Sequence, residues 1–263
     1  MMNTPEFLLK EKEGLKEYCV YYDEQADIEI RKSYYQSISF NGSELKESIH
    51  TLLEETHTKK LEYAPHRYLY PWVDLQENRE LKSLYSGKRM DPAETIKHDY
   101  QILELEENGV IAASGETLLN CEHVVPQSWF NKMEPMRGDL HHLFACEPGC
   151  NSSRGNSPYA DFPDYVPEGQ ALGIRSGCGK AEEDKFEPEY GKGIVARASF
   201  YFLLRYRNVI NKEMVNVPLL LKWHQKFPTS LYEKHRNLAI YELQGNRNPF
   251  IDFPELAEKM ADI

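Results

Sequence analysis

Residues 117–156 read TLLNCEHVVPQSWFNKMEPMRGDLHHLFACEPGCNSSRGN, and here the pattern of the chain changes. TLLNCEHVVP and DLHHLFAC are short runs of β-compatible residues separated by the turn-prone NKMEPMRG, which predicts a two-stranded hairpin. NSSRGNSPYADF (151–162) offers repeated cap and turn residues and predicts a loop entering a short helix. Strand, strand and helix form the smallest frame on which Glu122, His123, Asp139, His141, His142, Asn151, Arg154 and Gly155 converge. A histidine at the end of the first strand takes a proton from water when its pKa lies near neutrality. Glu122 and Asn151 are hard oxygen ligands suited to Mg²⁺, which neutralises charge growing on a phosphorane and on the departing oxygen. Arg154 offers a planar fork for a phosphate. Adjacent strand residues point to opposite faces, so Glu122 and His123 share one site only if the strand ends or bends there, as Pro126 suggests.

Outward from this segment the period is helical. SELKESIHTLLEETHT (43–58) places Leu45, Ile49, Leu52 and Leu53 on one face, with Ser43 as the expected N-cap. The aromatic run YAPHRYLYPWVDL is expected to be a loop, and DPAETIKHDYQILELEENG (91–109) a helix begun at Asp91 and closed by Asn108 and Gly109. KGIVARASFYFLLRYRNVI (192–210) predicts a strongly apolar helix. LLLKWHQKF and SLYEKHRNLAIYELQ predict two more, separated by Pro228, with Ser230 capping the second. No repeat, linker or low-complexity tract interrupts the chain. The expected fold is α+β, a mostly helical single domain over 36–263, preceded by an acidic helical extension at 1–35.

With 41% hydrophobic and 28% charged residues, and no apolar run near the ~18 residues of a membrane span, the 263-residue chain is read as soluble and without a membrane partner. Its first residues lack the basic flank, apolar stretch and small-residue site of a secretory leader, which makes a cytoplasmic location the expectation. Net charge is −11, against the basic footprint that phosphate binding usually leaves. Residues 187–250 nevertheless hold ten Lys or Arg against five Glu. Solvated helix faces are the plainer reading of that band.

EHVVP, then DLHHL, then NSSRGN resemble the endonuclease I family, whose catalytic unit is a ββα-metal (His-Me) finger, here about 117–165. LYSGKR (84–89), FEPEYGKGIVARASFYFLLRY (186–206) and HRNLAIYELQGNRNPFIDFPEL (235–256) look like further blocks of the same family. The resemblance implies His123 as general base and Glu122 with Asn151 as ligands of one catalytic Mg²⁺. It also implies an endonuclease that cuts DNA, often RNA too, with little sequence preference, leaving 5′-phosphate ends. Several members carry a longer insertion between the two strands, with an arginine that steadies the leaving group. Only QSWFNKMEPMRG stands there in this chain, so Arg137 or Arg154 is expected to do that work.

Plainer readings stand beside these. His141 and His142 are expected to satisfy backbone or carboxylate partners, His141 beside the metal. Arg197 either reaches nucleic acid or pairs with Glu187, and Arg247 in QGNRNPF either meets phosphate or pairs with a carboxylate. Cys121, Cys146, Cys150 and Cys178 bracket the hairpin and helix. A structural Zn²⁺ on all four, buried free thiols, and disulfides are the three alternatives. Two rivals to a metal-dependent nuclease are a zinc-braced module that binds nucleic acid without cutting it, and a Cys/His hydrolase built on Cys121 or Cys146.

Overall fold

The computed structural model describes residues 20–110, 118–167 and 177–259, so most of the expected acidic extension, Cys19 and the start of the first hairpin run lie outside the described residues. Helix α1 (Glu24–Tyr34) begins where the Asp23 carboxylate accepts from the Ala26 amide. Helix α2 (Leu45–Thr56) starts later than Ser43 because the Leu45 amide already bonds the Gly42 carbonyl, which makes 42–45 a turn and leaves no side-chain cap. The aromatic run expected as a loop is helical instead. Pro65 opens α3 (Pro65–Tyr68), which widens into a π-turn over Leu69–Val73, and burial of Leu69, Tyr70 and Val73 overrides the local proline.

Strands β1 (Leu81–Lys82) and β2 (Arg89–Met90) precede α4 (Pro92–Glu107), which has Asp91 as its N-cap and Asn108 as its C-cap. Then come β3 (Cys121–His123), β4 (Leu143–Ala145) and the short α5 (Pro148–Arg154), followed by β5 (Gly179–Glu182) and β6 (Lys185–Pro188). The rest is helical: α6 (Lys192–Arg205), α7 (Val217–Lys226), α8 (Leu231–Gln244), α9 (Pro249–Asp252) and α10 (Leu256–Lys259). Ser230 caps α8 through a reciprocal box with Glu233. The molecule is α+β, about half helical, and its described strands form three two-stranded antiparallel sheets, β1–β2, β3–β4 and β5–β6.

Helix α6 is buried along its whole length and forms the axis of the larger core, with Val195, Phe202, Leu204 and Trp223 among the buried residues. A second core gathers Leu69, Tyr70, Leu81, Leu140, Leu143 and Ile240. The β3–β4 hairpin lies between them. Alternation sends Leu143 and Ala145 to the second core, and Phe144 and Cys146 to the first. In the register Cys121↔Ala145, Glu122↔Phe144, His123↔Leu143, the second strand begins four residues later than expected. Asp139 turns back to accept from the His141 amide at 3.0 Å, which winds Leu140–His142 into a 3₁₀ turn.

Half of the basic band of 187–250 is internal: Lys192, Arg197, Arg205, Arg236 and Arg247 are buried. Arg197 does not meet Glu187; it is buried against Glu233 and the Phe227 carbonyl, while Lys192 takes Glu187. Arg236 is buried on Asp74, and Arg247 on Asp27 and Asp252. These cations neutralise buried carboxylates, so they contribute no footprint for phosphate.

Gly138 fixes the end of the loop between β3 and β4. A Cβ there would stand 1.9 Å from the Leu61 carbonyl oxygen, so the backbones touch only because the residue is glycine. Gly138→Ala is expected to lower stability by roughly 1–3 kcal/mol, read by urea unfolding. An unchanged midpoint would show that the loop relaxes freely.

Candidate active site

The outer edge of β3, the one not paired to β4, is covered by α5. Asn151 Nδ2 donates to the Cys121 carbonyl at 2.9 Å, and Arg154 donates to the His123 and Val124 carbonyls at 3.4 and 2.9 Å. Pro148 opens α5 and Gly155, at φ +53, ends it, so NSSRGN forms the end of a helix rather than its approach. Along this edge runs a cavity of about 260 Å³ lined by Tyr63, Glu122, His123, Gln127, Asn151 and Arg154, among others. Neighbouring strand residues meet there because a site at a strand edge is reached from both faces, and β3 ends at His123.

Glu122 is almost wholly buried. Its Oε1 accepts the Tyr85 hydroxyl at 2.7 Å and lies 3.2 Å from Arg154 Nη1. Burial pushes its carboxyl up to about 7 against the opposing pull of Arg154 and Tyr85. No hydrogen bond to Oε2 is found among the described residues. His123 Nε2 lies 3.0 Å from the Arg137 carbonyl, which assigns the ring proton to Nε2 and leaves Nδ1 as the acceptor. Burial, with His142 beside it, holds its pKa well below the usual imidazole value, so the ring is neutral. Tyr63 packs on this ring at 5.0 Å, and the Arg137 guanidinium lies 5.0 Å over Tyr63.

Arg154 is placed differently from a phosphate clamp. It is 1% exposed, ion-paired with Glu122, donates through Nη1 and Nη2 to the carbonyls of His123, Val124 and Gly155, and stacks 4.8 Å over Tyr159. Its evident work is to bind α5 to β3. His141 is not beside the cavity group either: its Nε2 sits 3.2 Å from the Asn246 carbonyl and its ring packs on Tyr201. His142 is the histidine that neighbours His123, at 5.4 Å between ring centres. Behind both, buried Asp139 accepts from Tyr201 and Tyr206 at 2.7 Å and from Gln244 at 2.9 Å. Burial pushes its carboxyl up, yet His57, His141, His142 and these donors hold it far below the usual range.

The four-cysteine zinc site is absent. Cys150 and Cys178 form a disulfide that ties α5 to the residue before β5. Cys121 and Cys146 are buried in different cores because they stand on opposite faces of the hairpin. Burial pushes both thiols well up, which removes the thiolate that a Cys/His hydrolase needs. Among the described residues no group of three or more His, Cys, Asp or Glu is arranged to hold a metal ion. Glu122 with Asn151 is a two-oxygen set. Asn151 uses its amide nitrogen on Cys121, and its Oδ1 has no partner among the described residues. Such a pair fits Mg²⁺, which keeps several waters and needs few protein oxygens.

Spacing does not single out Tyr63, Tyr85 and Tyr159 as site residues. LYSGKR and the run SPYADF held two of the tyrosines, but the signal that joins them to Glu122 is three-dimensional.

The sequence profile described as Endonuclease I matches residues 41–255. An extracellular ribonuclease of Bacillus amyloliquefaciens is 30% identical over 251 residues, covering 87% of this chain and 78% of its own length. An extracellular ribonuclease of Bacillus subtilis (strain 168) is 32% identical over 167 residues, 54% of this chain and 53% of its own. A periplasmic deoxyribonuclease of Aeromonas hydrophila is 28% identical over 197 residues, 64% and 74% respectively. These relatives are named as extracellular or periplasmic proteins, which overturns the cytoplasmic location expected from the sequence. No helix among the described residues is long and apolar enough to cross a membrane.

Proposed function

The chain belongs to the endonuclease I family, and on that premise we propose that it hydrolyses phosphodiester bonds of DNA and RNA, with little sequence preference, in the cavity along β3. The observation that carries this reading is the meeting of Glu122, His123 and Asn151 in one cavity beside β3, β4 and α5, which supports reading that unit as a ββα-metal finger.

In this reading His123 takes the proton of the attacking water on Nδ1. The Arg137 carbonyl on Nε2 holds the ring in that tautomer, and the Tyr63 ring holds its plane. Departure of the 3′ oxygen leaves the phosphate on the 5′ end. Glu122 and Asn151 would hold one Mg²⁺, which supplies charge stabilisation at the phosphate and at the departing oxygen. Arg154 lines the cavity but its guanidinium is engaged by backbone carbonyls, while the Arg137 guanidinium lies over Tyr63, itself a lining residue, and is the arginine we assign to the leaving group. Contacts confined to phosphate carry no base information, which accounts for low sequence preference.

The test is incubation of supercoiled plasmid and of single-stranded RNA with the protein, with EDTA and with added Mg²⁺. Cleavage of both is expected to stop in EDTA and return with Mg²⁺. Asn151→Ala is expected to need a higher Mg²⁺ concentration for half-maximal rate. Cleavage that persists at full rate in EDTA would remove the metal from the mechanism.

A further inference from the structure

Glu122 has two oxygens, and the protein treats them unequally. Tyr85 is fully buried, and its backbone is pinned on both sides: the Leu84 amide bonds the Ala145 carbonyl at 2.9 Å, and the Tyr190 amide bonds the Tyr85 carbonyl at 2.8 Å. Its ring packs edge-on to Phe186 at 5.0 Å. The hydroxyl therefore stands at a fixed place, 2.7 Å from Glu122 Oε1 and 2.7 Å from the Tyr159 hydroxyl.

Only one distribution of protons satisfies this chain when Glu122 is ionised. A carboxylate only accepts, so the single proton of Tyr85 goes to Oε1, and Tyr159 must then donate to the Tyr85 oxygen. That leaves the Val124 carbonyl, just past β3 and 3.2 Å from the Tyr159 hydroxyl, to Arg154 Nη2 at 2.9 Å. With Arg154 Nη1 in an ion pair 3.2 Å from the same Oε1, one oxygen has a hydrogen-bond donor and a charge partner, and no hydrogen bond to the other is found among the described residues. Rotating the carboxylate out of this plane would break both contacts in a buried place, where an unmade hydrogen bond to a charged group is costly, so one oxygen position is held by Tyr85 and Arg154 and the other is left to the cavity.

We propose that Tyr85, backed by Tyr159, is a positioning residue that selects Glu122 Oε2 as the oxygen offered to a divalent cation. This rests on the metal reading given above. It gives the LYSGKR block a role at the cavity, although that block stands 37 residues before Glu122.

Mn²⁺ is the probe, titrated into the full chain while the free ion is followed by electron paramagnetic resonance. Tyr85→Phe removes one hydroxyl without opening a cavity, and is expected to weaken Mn²⁺ binding about 10- to 100-fold. Tyr159→Phe is expected to weaken it less. Tyr201→Phe, which removes a buried hydroxyl from Asp139 instead, is expected to lower Tm and leave Mn²⁺ affinity unchanged. Wild-type affinity in a folded Tyr85→Phe overturns the proposal. If that variant does not fold, wild-type affinity in Tyr159→Phe overturns it. Glu122→Gln separates the two levels. If it loses Mn²⁺ while Tyr85→Phe keeps it, only the positioning role fails. If the wild-type chain binds no Mn²⁺, the metal reading fails and takes this inference with it.

Discussion

His123→Ala cuts plasmid cleavage by about 10²- to 10⁴-fold while DNA binding and Mn²⁺ binding stay near wild type; this is the loss expected when a positioned general base is removed. The argument rests on one atom. Nε2 is engaged by the Arg137 carbonyl, and Nδ1 is the ring nitrogen left to accept a proton. His142, the nearest second imidazole, has its Nε2 2.6 Å from the Met136 carbonyl and is buried, so it is not a ready substitute. Nicking of supercoiled plasmid measures the rate, and gel retardation in Ca²⁺ measures binding. A variant that nicks at the wild-type rate would take the base away from His123. A variant that loses DNA binding along with cleavage would make the imidazole a substrate contact instead.

Arg247→Met is expected to cost about 3–5 kcal/mol of stability, the penalty for leaving buried charge without its partner. The guanidinium is 0% exposed and donates to Asp252 through Nε and Nη2, at 2.8 Å each, and to Asp27 at 2.8 Å. Without it two buried carboxylates face each other, with the Tyr22 and Tyr35 hydroxyls and, 3.7 Å from Asp27, Arg31 Nε as remaining partners. Methionine keeps much of the volume, so the loss reports charge rather than a cavity. Urea unfolding measures it, and in a chain of this size the melting temperature should fall by roughly 10 °C. Adding Asp27→Asn and Asp252→Asn should recover part of the loss. A deficit below about 1 kcal/mol would mean that the carboxylates had found other partners or protons. Because Asp27 lies on α1, the same pair docks the described part of the front segment onto the body of the protein.

Much of the site was legible in the sequence because its chemistry is local. Glu122 and His123 are adjacent, and Asn151 falls one short hairpin later, so residue types and spacing sufficed to place them together. The helices at 92–107 and 231–244 were equally readable, since Asp91 and Ser230 cap the turns that follow them. The aromatic stretch 64–74 was not, because tertiary burial of Leu69, Tyr70 and Val73 outweighs the local signals that favour a loop. Arg197 misled for the same reason: it meets Glu233 rather than Glu187 or solvent, whereas Arg247 takes the carboxylate pairing that was one of its two readings.

By itself the sequence determined the α+β class of the chain, most of its helices, and the spacing by which Glu122, His123 and Asn151 come to line one cavity. These depend on hydrophobic period, caps and short spacings, which act within a few residues. Tertiary structure alone decided that Cys150 pairs with Cys178 while Cys121 and Cys146 part, that His142 rather than His141 adjoins His123, and that Tyr85 reaches Glu122. Each of these is a matter of which face a side chain takes and what closes over it, and burial sets both through contacts between residues far apart in the chain.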